Sequence, residues 1–435
     1  MKKILLLLVL LMGLSLTFDG YCYDGELVVR LDTENQLSPM YIAPFADKNS
    51  GFSKEYVKSL EEVVHFDFDH NGMTFLVSNK ETPASYQLDI KINGHKLEAI
   101  VSPPFSEEEI VIDDVLLSGQ LAGDQKTLHQ LADTIHRELF GTEGVASTKI
   151  LYTVRTKKNG KDDSQVWEAD YDGRNSRQIT KDGGYCVTPS YVSPMPGYAA
   201  GSFFYVSYET GQPKIYVASL SDGVGRRFSA LSGNQLMPAI SRQRDQVAFI
   251  SDVTGNPDLF LQEFSPEEGV QEKPRHLFTA PLATQGSPAF SPDGTRVAFV
   301  SNKGGSPRIY ILRTPPRGTP LKETSPVLIT KFNSENTAPA WSPDGTKLAY
   351  CSKTKGIRQI WVYDFLNGIE RQLTQGTGNK ENPTWAPNSL HLIYNTSDAK
   401  ASELYLINLK QGKAIKISSG PGEKRFPSWE PTNAA

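Results

Sequence analysis

Two stretches of this chain are nearly identical: "SPDGTRVAFVSN" (Ser291–Asn302) and "SPDGTKLAYCSK" (Ser342–Lys353), a tight turn followed by an apolar run, repeated 51 residues apart. Each follows a Pro, a small residue and an aromatic, Pro288–Phe290 and Pro339–Trp341. The same proline recurs in weaker copies at Pro189, Pro238, Pro383 and Pro427, so consecutive copies are spaced by 49, 50, 51, 44 and 44 residues. A period of about 40–50 residues is that of propeller blades.

One copy can be read strand by strand. A proline suits the start of a short strand, where its missing N–H is tolerated. Ser291–Gly294 is turn chemistry: Pro presets φ, Asp bonds its local backbone and Gly follows. "RVAFVS" is apolar on both faces, as a strand sandwiched between neighbouring sheets must be. The turn "NKGGSP" leads to "RIYILR", and "PVLIT" ends the unit. Four short strands per repeat make a propeller blade. A β-sandwich of similar strands would not repeat at a fixed period.

The two ends of the array complete each other. The last copy, "FPSWEP", has only an innermost strand, whereas Lys149–Thr180 has the other three and lacks an innermost one. The predicted fold is an α/β N-terminal domain followed by an all-β six-bladed β-propeller closed by the C-terminal strand. Trp429 belongs in that strand, and closing the ring this way leaves no raw sheet edge. Losing the last ten residues should unravel it.

"MKKILLLLVLLMGLSL" pairs two lysines with a short apolar run, the pattern of a secretory signal peptide. Gly20 and Cys22 are the small residues that favour cleavage after Cys22. Cys22 could instead carry a lipid, but Asp19 and Tyr21 depart from a lipidation motif. The expected division is 1–22 signal peptide, 23–148 α/β domain and 149–435 propeller. Without the signal the formal charge is −5, mildly acidic, with no basic patch for nucleic acid. The two remaining cysteines, Cys186 and Cys351, fall on opposite blades, too far apart for a disulfide.

Residues 23–148 lack the repeat. "GELVVRLD" (25–32), "MYIAPFAD" (40–47) and "MTFLVS" read as strands. Ser53 can cap a helix carrying Tyr56, Leu60, Val63, Val64 and Phe68, stopped at Asn71-Gly72. "YQLDIKINGHKLEAIVS" is a hairpin turned at Asn93-Gly94. "KTLHQLADTIHRELFG" places Leu128, Leu131, Ala132, Ile135 and Leu139 on one helical face.

Motifs that would carry chemistry are sparse. "DFDHNG" (67–72) imitates the start of a calcium loop, but its twelfth position is Ser78 where a bidentate Glu is needed. A helix end explains it better. There is no G-x-S-x-G, H-E-x-x-H, C-x-x-C or phosphate loop. His129 reads as a packing or surface residue. The acids of "SEEEIVIDD" (106–114) read as a solvated surface. No cofactor or metal is expected.

Taken together, the signal, the small α/β domain, "HQLADTIHRELFGTEGVASTKILYTVR" (129–155), six degenerate blades and the terminal "FPSWEP" resemble the TolB family, the periplasmic propeller component of the bacterial Tol–Pal system. The most specific part is the H-x-x-A-D-x-I stretch before the first blade. Departures are the short hairpin at 93–101, an extra residue in blade two ("PSYVSP") and "SRQRD" where blade three should have SPDG.

The resemblance implies a non-enzymatic periplasmic scaffold acting in outer-membrane integrity and envelope constriction at division. It would bind Pal at the propeller mouth and TolA through the mature N-terminus. For TolA, the implied segment is Tyr23 to about Glu34, with Asp24, Glu26, Leu27, Val29 and Leu31. These residues could equally be an edge strand of the α/β domain, or could detach and add as a strand to the partner. The rival class is a secreted propeller hydrolase or lyase, or a peptidase-accessory propeller, using the channel. Its inner strands would need acids or histidines, where this chain has "PSY", "PAI", "PAF", "PAW", "PTW" and "PSW". The residues just before each blade proline read as loops ringing one mouth. They mix apolar anchors with hydrogen-bonding groups, as partner sites do. The expected Pal contacts there are Met237, Gln285, Ser287, Asn336, Ala338, Lys380, Glu381, Asn382, Arg425 and Phe426.

Overall fold

The computed structural model describes residues 37–103, 108–181, 183–266, 268–316, 318–319, 325–398 and 401–432. The signal segment, the 25–32 strand and all five TolA residues lie outside them.

Six antiparallel sheets form the propeller. Blade 1 is the seam: Glu423–Trp429 pairs with Lys149–Lys158, which pairs with Lys161–Asp170 and then Arg177–Gln178. The register sets Trp429 opposite Ile150 and Glu423 opposite Arg155, so the C-terminal strand is the innermost strand of the first blade. The innermost strands of blades 2 to 6 are Cys186–Tyr191, Gln235–Ile240, Gln285–Phe290, Asn336–Trp341 and Asn379–Trp385.

Period-two alternation builds the ring. In Ser202–Ser207, Phe203 and Tyr205 pack towards Leu151 and Val166 of blade 1, while Phe204 and Val206 pack towards Val247 and Phe249 of blade 3. In the same way, Ala248 and Ile250 meet Val297 and Phe299, and Ala298 and Val300 meet Leu348 and Tyr350. Each blade is therefore half of two cores, which is why its second strand is apolar on both faces. A fully buried side chain of this kind contributes about 1.5–3 kcal/mol. Cys186 (blade 2) and Cys351 (blade 5) are buried free thiols, and burial pushes the Cys351 thiol up to about 12.

The α/β portion has one sheet in the order Thr74–Leu76, Ser38–Ile42, Tyr86–Asn93, Lys96–Ser102, Ile110–Leu116, with Ala46–Lys48 also paired to Tyr86–Asn93. The 40–47 stretch is thus two short strands with a break between them. The hairpin turns on Gly94-His95, one residue beyond the expected pair, because Asn93 is still paired with Lys96. Helix α1 (Lys54–His70) starts with Ser53 Oγ accepting from Tyr56 N at 3.1 Å and buries Leu60, Val63, Val64 and Phe68. Helix α2 (Leu121–Phe140) begins earlier than its apolar pattern. Its first turn is held by the Asp124 carboxylate, which accepts from Ser118 N and Gly119 N, both at 2.8 Å, so no apolar periodicity marks it. It ends at Gly141, left-handed at φ 65°.

This layer packs on the face of the ring that carries the SPDG-type turns. His391 Nε2 lies 2.7 Å from the His70 carbonyl, and Gln411 Nε2 donates to Asp69 O at 2.9 Å. A Cβ on Gly72, which is left-handed at φ 75°, would come within 2.4 Å of the tip of the Leu390 side chain and push it aside. One apolar core runs through both parts and includes Phe68, Ile135, Tyr171, Ile393 and Trp429. Among the described residues, nothing packs over the opposite face, where blades are joined to one another.

Candidate functional site

At that open face each innermost strand carries the same irregularity. The residue before each blade proline is left-handed: Thr188 (φ 49°), Met237 (53°), Ser287 (44°), Ala338 (50°), Asn382 (54°) and Phe426 (54°). In every blade the register slips across this residue and the proline, the signature of a bulge. Non-glycine residues held here cost on the order of 1–3 kcal/mol each. The bulge puts all six into the wall of one cavity of about 300 Å³ at the channel mouth, together with the six prolines.

The ten expected contact residues therefore sit in strands, not in loops, and the strand pleat separates them. Met237, Ser287, Ala338, Asn382 and Phe426 line the mouth. Glu381 and Arg425 are half-buried beside it in ion pairs, Glu381 with Arg358 at 2.6 Å and Arg425 with Glu423 at 2.9 Å. Gln285, Asn336 and Lys380 are not at the surface. All three stand three residues before the proline, where the pleat turns side chains between blades, and all are buried. Each ties down the loop that precedes it. Lys380 Nζ donates to the carbonyls of Thr377 (2.8 Å), Gly378 (2.9 Å) and Gly376 (3.3 Å), and burial lowers its pKa. Asn336 Nδ2 reaches Phe332 O and Asn333 O at 3.4 Å, and Gln285 Nε2 reaches Ala283 O at 3.3 Å.

Three residues on this face were not among the expected contacts. Thr188 completes the ring. Leu282 (99 % exposed, φ 58°) and Phe332 (61 % exposed) stand out from the inter-blade loops of blades 4 and 5. Their signal was a lone large apolar residue inside turn-forming stretches, "APLATQG" and "KFNSENT". Polar contacts knit the ring together: Asn395 Oδ1 accepts from Asn382 Nδ2 at 2.9 Å and from Phe426 N at 3.2 Å, and Ser287 N approaches Met237 Sδ at 3.1 Å.

The H-x-x-A-D stretch also acquires a physical role. Asp133 accepts from Ala146 N and Ser147 N, both at 2.8 Å, pinning the linker into blade 1. His129, one turn earlier, is neither a surface residue nor simple packing. It is 1 % exposed, and its Nδ1 lies 2.9 and 3.0 Å from the two oxygens of Asp67 on α1. Tyr171 of blade 1 donates to the same Asp67 at 2.7 Å. Burial alone would lower the His129 pKa, but Asp67 and Asp172 outweigh it and raise it to about 9, while burial lifts Asp67 to about 6. The carboxylate that meets His129 comes from α1, because Asp133, at i+4 on α2, is turned to the linker instead.

Residues 136–433 match the TolB beta propeller domain. The chain is 52 % identical over 384 residues to a protein TolB homolog of Protochlamydia amoebophila, covering 82 % of both chains. It belongs to the TolB family. A second TolB homolog, from Chlamydia felis, is 38 % identical over 367 residues, covering 82 % of this chain and 83 % of that one. The crystal structure of TolB from Acinetobacter baumannii superposes with a TM-score of 0.72 over 91 % of this chain and 97 % of that one. At 22 % identity that likeness speaks for the fold alone. The TolB match spans the six blades described above and the closing strand.

Proposed function

We propose that this TolB-type propeller is a non-enzymatic periplasmic scaffold of the Tol–Pal system, holding Pal at the open mouth and TolA through its mature N-terminus. The observation that carries the reading is the mouth itself: six strained pre-proline residues around one cavity, on the face left free by the α/β layer, where inter-blade loops also expose Leu282 and Phe332. A few apolar anchors among hydrogen-bonding groups is the composition of a partner site. None of the described side chains lining this cavity is a His, Cys, Asp, Glu or Lys, which supports binding over catalysis. The working surface comprises Met237, Ser287, Ala338, Asn382 and Phe426.

The test is calorimetric titration of the purified mature protein with the soluble domain of Pal from the same organism. Ser287→Arg and Ala338→Arg should each weaken binding at least about 100-fold, the effect of losing a central contact, with circular dichroism unchanged. Wild-type affinity in both variants would move the site away from this mouth.

A further inference from the structure

His129 and its neighbours have no part in the proposed partner surface. The imidazole projects from α2 onto the turn that follows the third strand of blade 1, Asp170-Tyr171-Asp172-Gly173. That turn is tightly seated: a Cβ on Gly173 (φ 86°) would fall 1.7 Å from Ile417 O, so the backbone approach requires glycine. Nδ1 is taken by Asp67, whereas Nε2 is buried and makes no hydrogen bond. It faces Asp172, whose Oδ2 is 3.7 Å away. One ligand atom each from His129, Asp170 and Asp172 lies within 4.8 Å of the others, and all three residues are buried.

We propose that His129 Nε2, Asp170 and Asp172 bind one divalent transition-metal ion of the zinc class, joining α2 to blade 1. An imidazole and two carboxylates are a donor set suited to that ion. Zinc bonds of about 2.0–2.1 Å place tetrahedral ligands about 3.3 Å apart, so closure needs inward shifts of less than about 1 Å per group. Outer partners already orient each ligand. Asp67, itself held by Tyr171, accepts from the Nδ1–H and so fixes the tautomer that leaves Nε2 for the metal. Arg174 donates to Asp172 Oδ2 at 2.6 Å, and Asn175 Nδ2 donates to Asp170 Oδ2 at 2.7 Å. This arrangement of carboxylate, histidine and metal, with hydrogen-bonded carboxylate ligands, is how proteins support such ions. The ion would displace the proton on Nε2 and take its place between the two carboxylates.

The experiment uses the mature protein stripped with a chelator and titrated with cobalt(II) chloride, then zinc chloride. One equivalent of cobalt should give the visible absorption of a low-coordinate site, and zinc should abolish it. Zinc at a hundredfold excess over its Kd should raise Tm by about 2–5 °C. Asp170→Asn and His129→Gln should each lose the band and the shift. If His129→Gln does not fold, Asp170→Asn and the wild-type spectrum still decide. The proposal is overturned if wild-type protein shows neither band nor shift, or if both survive in Asp170→Asn.

Discussion

The mouth and the buried junction both gather residues from distant parts of the chain, but by opposite means. At the mouth, one local device is copied six times: a strand, a left-handed residue, a proline. The left-handed residue is uncharged in every copy, and the backbone strain is spread evenly around the ring. At the junction nothing repeats. Asp67, His129 and Asp172 come from α1, α2 and a propeller turn, and each charge is tolerable only because the others are present. The mouth can therefore change side chains at little cost to the fold, whereas the junction cannot.

The largest effect should come from the junction. His129→Ala leaves Asp67 and Asp172 buried without their shared counter-charge, which should lower unfolding free energy by about 3–5 kcal/mol. Urea unfolding would show it, and Pal affinity measured below the transition should not move. A loss under about 1 kcal/mol would mean that the cluster is more solvated than its burial implies.

Acid should act on the same boundary at a different point. His391, fully buried under the His70 carbonyl, is depressed to about 4 by burial, with His136, His70 and Lys410 adding cationic pressure and the His70 carbonyl bond opposing. Its ordinary value is near 6.5. The stability tied to neutral His391 is complete above about pH 6.5 and is lost as pH falls towards 4. Between pH 7 and 5, wild type should lose roughly 2 kcal/mol more than His391→Gln does. Parallel pH profiles for the two proteins would remove His391 from the account.

Lys380 tests where the mouth ends. Lys380→Met takes one donor from three carbonyls and should cost about 1–2 kcal/mol without changing Pal affinity. The reverse pattern, weaker binding at full stability, would return Lys380 to the partner surface. The smallest effect should be Ala338→Gly. It removes the left-handed conflict of about 1–2 kcal/mol but loses chain entropy of about 0.5–1, for a net gain of roughly 0.5–1 kcal/mol in thermal unfolding. A net destabilisation would show that the bulge carries no strain at this position.

The propeller was legible because its information is local and periodic. Proline spacing, turn residues and doubly apolar strands give six blades, and the unmatched ends give the seam. The mouth was legible only in part. Its location follows from blade topology, but sequence does not say that a pleat turns Gln285, Asn336 and Lys380 inwards while their neighbours line the channel. Nor does it mark Met237, Ala338 or Phe426 as left-handed, since none of these residue types prefers that conformation.

What the sequence determined by itself was the repeat, the ring it implies and the helical faces of the α/β layer, because burial periodicity is written residue by residue. What only the tertiary structure decided was the partnership of Asp67, His129 and Asp172, separated by 62 and 43 positions along the chain. A lone histidine and scattered acids carry no pattern. They become an ion cluster only when two helices and a blade turn exclude water from the space between them, and that exclusion is a property of the packed fold.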